Sequence, residues 1–208
     1  MMTASARLIY VYDPMCSWCW GYKPSLLGLK TQLIELFPTL AIDYKVGGLA
    51  PDSDMPMPAE MQQFLAQTWH KIAQQLGTEF NHAFWQECQP RRSTYPACRA
   101  CIVAREFALE SEMMLAIQQA YYLQAKNPSD LDTLIEAAES VGIDKTVFVE
   151  RLSSAEIAQA FMKELDFVHQ LPIRGFPSLV LQVNGQNIGL HLDYHDPQTT
   201  IDAITKAL

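Results

Sequence analysis

Cysteine is the residue type with most chemistry to offer in this 208-residue sequence, and four of its five copies fall in two identical spacings. Cys16 and Cys19 form one C-x-x-C pair, Cys98 and Cys101 form a second, and Cys88 stands alone. Thiols three residues apart on a helix lie about one turn from each other, close enough to exchange a disulfide or to share a metal ion. Exchange needs one sulfur as the thiolate, whereas a free Cys with a pKa of about 8.5 is mostly protonated at neutral pH. A helix N-terminus supplies the missing stabilisation, because its first amides lack carbonyl partners and its dipole presents positive charge.

The first pair has that setting. Residues 8–12, L-I-Y-V-Y, are a β-branched and aromatic run closed by Asp13-Pro14, which predicts a buried strand followed by a turn. From Trp18 onward Leu26, Leu29 and Leu33 recur at helical spacing, with Pro24 inside the helix and Pro38 beyond its end. Cys16 therefore sits where a strand turns into a helix. The expected chemistry is attack by Cys16 on a disulfide and resolution by Cys19, with the first sulfur exposed and the second buried as the helix enters the core. The spacers Ser17 and Trp18 bring no cation of their own.

Cys98 and Cys101 follow Pro96 in a helix predicted to run through Ala108, where backbone amides are already engaged. Small buried side chains on a face shared with Ala97 and Ala104 are the expected role, a second redox pair or a four-thiolate zinc site with Cys16 and Cys19 being the other readings. Cys88 reads as an isolated thiol. His191 and His195 read as a solvated surface pair, and Lys45, in the second strand, would tune a thiol only if buried near one.

The elements that must position these residues follow from periodicity. A second strand is predicted over 40–46, before Gly47-Gly48 and a Pro- and Met-rich loop over 50–58. Between residues 58 and 169 strand signals give way to amphipathic helices. Met61, Phe64, Leu65, Trp69, Ile72 and Leu76 form a stripe ending at Gly77, read as core packing. Asp130 is expected to cap another helix, and Ser153-x-x-Glu156 to form a capping box for the next. Strands then return over 178–183 and 186–190, flanking an Asn184-Gly185 hairpin turn, and Asp196-Pro197 opens a last helix carrying Ile201, Ile204 and Leu208. The expected division is a discontinuous framework, residues 1–57 and 170–208, with a helical domain, 58–169, inserted into it.

The stretch D-P-M-C-S-W-C-W-G, residues 13–21, resembles the active-site segment of the DsbA-like branch of the thioredoxin superfamily, particularly its cytoplasmic FrnE-like members, and the resemblance extends over essentially the whole chain. It implies an α/β, thioredoxin-like fold: a mixed sheet built from βαβ plus ββα, with a helical domain inserted between the second and third strands. It also implies thiol–disulfide oxidoreductase activity on protein or peptide disulfides. R-G-F-P-S-L, residues 174–179, resembles the family's second landmark, which implies a cis bond before Pro177 and a Phe176 backbone able to pair with an extended substrate. Two alternatives share the architecture. Glutathione-dependent transferases and isomerases of the kappa-class and hydroxychromene carboxylate isomerase kind generally carry Ser where this chain has Cys16; a non-catalytic peptide-binding module is the other. The expected activity needs no metal or organic cofactor, with glutathione entering as a redox partner.

Composition narrows the rest. Fifteen Lys and Arg against 23 Asp and Glu give a net charge of -8, which repels nucleic acid and anionic membrane surfaces. The apolar run before Asp13 is too short for a signal peptide or a membrane span, and an odd number of cysteines does not suit a secreted disulfide framework. A cytoplasmic protein is expected.

Overall fold

The structure is a computed structural model that describes residues 6–208. Four strands, β1 (Arg7–Tyr12), β2 (Ala41–Val46), β3 (Ser178–Val183) and β4 (Gln186–Leu190), form one mixed sheet in the order β2-β1-β3-β4. The connection from β1 to β2 runs through α1 (Ser17–Leu36), so these strands lie parallel, with Tyr12 opposite Val46. β3 runs antiparallel to β1, and the hairpin to β4 turns at Asn184 and Gly185, both at positive φ, 52° and 75°. A closing helix over Gln198–Ala207 completes the expected βαβ plus ββα framework.

β1 is central and covered on both faces. Leu8, Tyr10 and Tyr12 share the main core with Leu26, Leu29 and Leu33 of α1, while Ile9 and Val11 pack on the other side against Val168 and Leu171. That explains why its sequence is continuously apolar instead of alternating.

Seven helices separate β2 from β3: α2 (Ala59–Leu76), α3 (Phe84–Glu87), α4 (Tyr95–Arg105), α5 (Glu110–Tyr122), α6 (Leu131–Ser140), α7 (Lys145–Leu152) and α8 (Ala155–His169); the closing helix is α9. Of these, α4 lies deepest, its Ala97, Cys98, Ala100, Cys101 and Ala104 all fully buried. It ends at Arg105, three residues before the expected Ala108, whose φ of 58° is incompatible with continuing the helix. α8 is capped by Ser154, whose Oγ accepts from Ile157 N–H at 3.3 Å, not by Ser153, whose hydroxyl turns back to donate to the Val149 carbonyl at 2.8 Å. Asp130 stands at the start of α6, but its carboxylate pairs with Arg91 in place of capping. The α2 stripe also divides: Trp69 and Ile72 are buried, whereas Phe64 is 61% exposed.

Two sets of contacts tie the helices between β2 and β3 to the rest of the fold, one to the sheet and one to α1. Arg105 of α4 bridges Glu110 and Glu164, each at 2.6 Å. Glu164 in turn accepts from Val46 N–H at 2.7 Å, and Glu110 from the Tyr12 hydroxyl at 3.0 Å. On the other flank Trp20 stacks on Tyr122, 5.6 Å between centroids, within an aromatic cluster that includes Trp69 and Phe84. Gly21 permits α1 and α2 to touch, since a Cβ there would meet Ile72 Cγ2 and Leu76 Cδ1 at 2.9 Å. Among the described residues no helix is long and apolar enough to cross a membrane.

Candidate active site

β1 delivers the chain to a β-turn, Asp13-Pro14-Met15-Cys16, closed by Cys16 N–H donating to the Asp13 carbonyl at 3.0 Å. Proline pre-sets the second position of such a turn, and the Asp13 side chain reinforces it, Oδ1 accepting from Met15 N–H at 2.8 Å. The other oxygen, Oδ2, accepts from Leu49 N–H and the Thr94 hydroxyl, each at 2.7 Å, and from the Cys98 thiol at 3.5 Å. One fully buried carboxylate thus ties the cysteine turn to the loop after β2 and to the start of α4. Burial pushes its pKa above the usual value, and the donors pull the other way. Sequence alone marked Asp13 only as the end of a strand.

Cys16 is the N-cap of α1. The first intrahelical bond runs from Trp20 N–H to the Cys16 carbonyl at 3.1 Å, so the amides of residues 17–19 have no helical carbonyl to meet. Cys19 lies one turn on. The expected contrast in exposure is narrower than predicted: Cys16 is 7% exposed and Cys19 is 1% exposed, so the first sulfur shows only an edge. Burial first, and then the adjacent Cys16 sulfur, push the Cys19 thiol well up, which keeps its proton in place at neutral pH. All five cysteines are free thiols.

The second landmark comes to the same spot. The Phe176–Pro177 peptide bond is cis, and the Phe176 carbonyl accepts from the Cys16 thiol at 3.4 Å. The Phe176 ring lies on Gly47, where a Cβ would come within 2.1 Å of its Cζ, so a side chain there would displace the ring. Ser17 is buried, and half-buried Trp18 packs edge-on against Tyr194 at 5.5 Å with the Lys71 ammonium 5.9 Å from its ring centre. Cys16, Ser17, Trp18 and Phe176 border one cavity of about 280 Å³, whereas Cys19 and Pro177, both buried, do not border it. The same cavity is bordered by Met15, which lies within the active-site stretch of residues 13–21, by Leu65, read from the sequence as core packing, and by Met57, Thr94, Arg91 and Arg92, which no motif in the sequence pointed to.

Other candidates fall elsewhere. Cys98 and Cys101 lie inside α4, away from the cavity wall. Lys45 pairs with Glu164 at 3.4 Å and does not border the cavity. His191 and His195 line a separate space of about 440 Å³ that shares Trp18 with it, and the Cys88 thiol donates to the Ala125 carbonyl at 2.9 Å. Among the described residues no group of three or more His, Cys, Asp or Glu is placed to hold a metal ion.

Comparison with known families decides what this arrangement belongs to: the DSBA-like thioredoxin domain matches residues 7–203. The chain belongs to that family. Its fold is shared with a protein from Nitrosomonas europaea carrying the provisional name protein disulfide isomerase, at 24% identity and a TM-score of 0.81 over 97% of this chain and 98% of that one. It is shared too with DsbM, a cytosolic disulfide reductase from Pseudomonas aeruginosa, at 20% identity and a TM-score of 0.77 over 97% and 98%. Among curated proteins this DSBA-like chain is similar to the ClpXP adapter protein SpxH of Bacillus subtilis, 26% identical over 175 residues, 82% of this chain and 56% of that protein. SpxH of Halalkalibacterium halodurans is 24% identical over 90% of this chain and 64% of its own length. The chain therefore spans less than two thirds of the curated relatives it matches.

Proposed function

We propose that this DSBA-like chain is a cytoplasmic dithiol oxidoreductase that acts on protein or peptide disulfides through Cys16 and Cys19. The observation that carries the reading is the placement of Cys16 at the open amide end of α1, bordering a cavity, with buried Cys19 one turn behind. The Cys16 thiolate attacks a substrate disulfide, forming a mixed disulfide and releasing one substrate sulfur as the thiolate. Cys19 then loses its proton and attacks the Cys16 sulfur, releasing the second substrate thiolate and leaving a Cys16–Cys19 disulfide. Two electrons pass from the protein to the substrate, and two external thiols, glutathione among them, return the pair to the dithiol. Phe176 and Pro177 flank the attacking sulfur, and the Phe176 backbone is available to an extended segment lying across it. DsbM, which shares the fold, has also been solved with glutathione, which supports a thiol of that kind as the recycling partner.

The test is a Cys19→Ala variant offered a disulfide-bearing peptide. It should accumulate adducts at Cys16 visible by mass spectrometry, while the unaltered protein turns the disulfide over. No adducts together with wild-type turnover would overturn the mechanism.

A second reading is favoured by one observation, that the curated relatives are named as adapters: the fold here holds a protein segment beside Pro177 without turning it over. Slow reaction of both Cys16 and Cys19 with disulfides, alongside retained peptide binding, would select this reading.

A further inference from the structure

Two kinds of chemistry border the cavity beside Cys16. Met15, Leu49, Met57, Phe64 and Leu65 make one part apolar, and two of them, Phe64 and Leu49, remain exposed large hydrophobic side chains, which gain from contact only when something covers them. Arg91 and Arg92 make the other part cationic. Arg91 is committed through Nη2 to the Ser129 carbonyl at 2.8 Å and to the Asp130 carboxylate, while its Nε is buried with no partner. Arg92 is exposed, has no carboxylate within ion-pair distance among the described residues, and rests Nη1 at 3.1 Å from Met61 Sδ, a weak acceptor for a charged donor. A chain with a net charge of -8 thus sets two adjacent arginines beside its candidate nucleophile, opposing its own overall field at that point.

We infer that this cavity selects disulfides in polypeptide segments that carry a large apolar residue next to the reacting cysteine and a carboxylate within reach of Arg92. The inference deepens the oxidoreductase reading and rests on it for the identity of the reacting group. Glutathione shares the carboxylate chemistry but has no apolar side chain, so it would leave Met15, Leu65 and Phe64 uncovered. A polypeptide satisfies both halves of the wall. Arg92 is the principal anchor because it is exposed and is the uncommitted cation of the two.

The experiment uses the full chain and a fluorescent nonapeptide in which serine replaces the cysteine, so that only recognition is read. The peptide carries Leu beside that serine and two Glu nearby; its counterparts replace Glu by Gln, or Leu by Ser. By anisotropy the Glu peptide should bind at least about tenfold more tightly than the Gln peptide, with an advantage that shrinks as salt is added. Arg92→Gln should erase that advantage and Arg92→Lys should recover most of it, and the Leu→Ser peptide should lose about tenfold. Equal affinity for the Glu and Gln peptides, indifference to Arg92→Gln, or displacement by S-methylglutathione, which carries no reactive sulfur, as readily as by unlabelled peptide would each overturn the proposal. Because no thiol reacts in this assay, its failure is distinguishable from a failure of disulfide turnover, which would sink the oxidoreductase reading alone.

Discussion

Cys16-Ser17-Trp18-Cys19 and Cys98-Arg99-Ala100-Cys101 have the same spacing and opposite surroundings. The first begins at a turn and Cys16 is the N-cap of α1, so it stands at the helix end whose first amides have no carbonyl partner, and it borders a cavity. The second lies within α4, where Cys98 N–H already donates to the Thr94 carbonyl at 3.0 Å and both side chains are 0% exposed. Burial pushes both of those thiols up, and the Asp13 carboxylate beside Cys98 and the Glu110 carboxylate near Cys101 push further. A C-x-x-C is therefore only a separation. Its position along the helix decides whether a sulfur is offered as a nucleophile or packed as a small apolar side chain.

The largest effect that separates the two pairs is on turnover. Cys16→Ser should slow thiol–disulfide exchange by about 10³-fold or more, because a hydroxyl is not a nucleophile at neutral pH without a base to activate it. Cys98→Ala should leave the rate within about twofold while lowering stability by about 1–2 kcal/mol, the cost of a small cavity and a lost hydrogen bond. Equal losses of rate in a reduction assay would collapse the distinction. Reactivity comes next. Iodoacetamide should label Cys16 in the folded protein about 100-fold faster than Cys98 or Cys101, since the latter wait for α4 to open, and denaturant should level the three rates in a peptide map.

Much of this contrast was legible in the sequence, because it rests on local signals. Asp13-Pro14 marks the turn, Asn184-Gly185 the hairpin, and Pro96 places the second pair inside a helix. What escaped detection was long-range. The carboxylate of Asp13 meets Thr94, 81 residues away, and Arg105 meets Glu164, 59 away, and neither pairing leaves a periodic trace. Phe64 misled for a related reason: it obeys the helical stripe of α2, yet the stripe is wider than the partner it packs on, so Trp69 and Ile72 are covered and Phe64 is left beside the cavity. Arg91 and Arg92 carried no signal because a pair of arginines in a loop is ordinary until the fold sets it beside a thiol.

A smaller effect should come from the ring that borders only the first pair. Gly47→Ala puts a methyl where the Phe176 ring lies, and the Phe176 carbonyl touches the Cys16 thiol. Exchange through Cys16 should fall about tenfold, with labelling of Cys98 unchanged, because the displaced loop flanks one pair and not the other. Adding Phe176→Ala should recover part of the loss in a double-mutant cycle, since a small side chain no longer collides with the new methyl. Strictly additive losses would mean that Gly47 acts through something other than that ring.

The smallest effect probes the point at which the pairs meet, Asp13. Burial raises its carboxyl above the unfolded value of about 3.9, so on acidification the native state takes up that proton first and gains stability until the unfolded chain is protonated too. The thiol of Cys98 opposes that rise by donating to the ionised carboxylate. In Cys98→Ala the native carboxyl should titrate at higher pH, and the stability gap to wild type, measured from urea midpoints, should narrow as the pH falls from neutrality, because a protonated Asp13 has less use for the missing donor. A gap that stays constant with pH would show that the second pair contributes only volume. One that narrows would show that the buried pair helps hold the anion that organises the turn carrying the first.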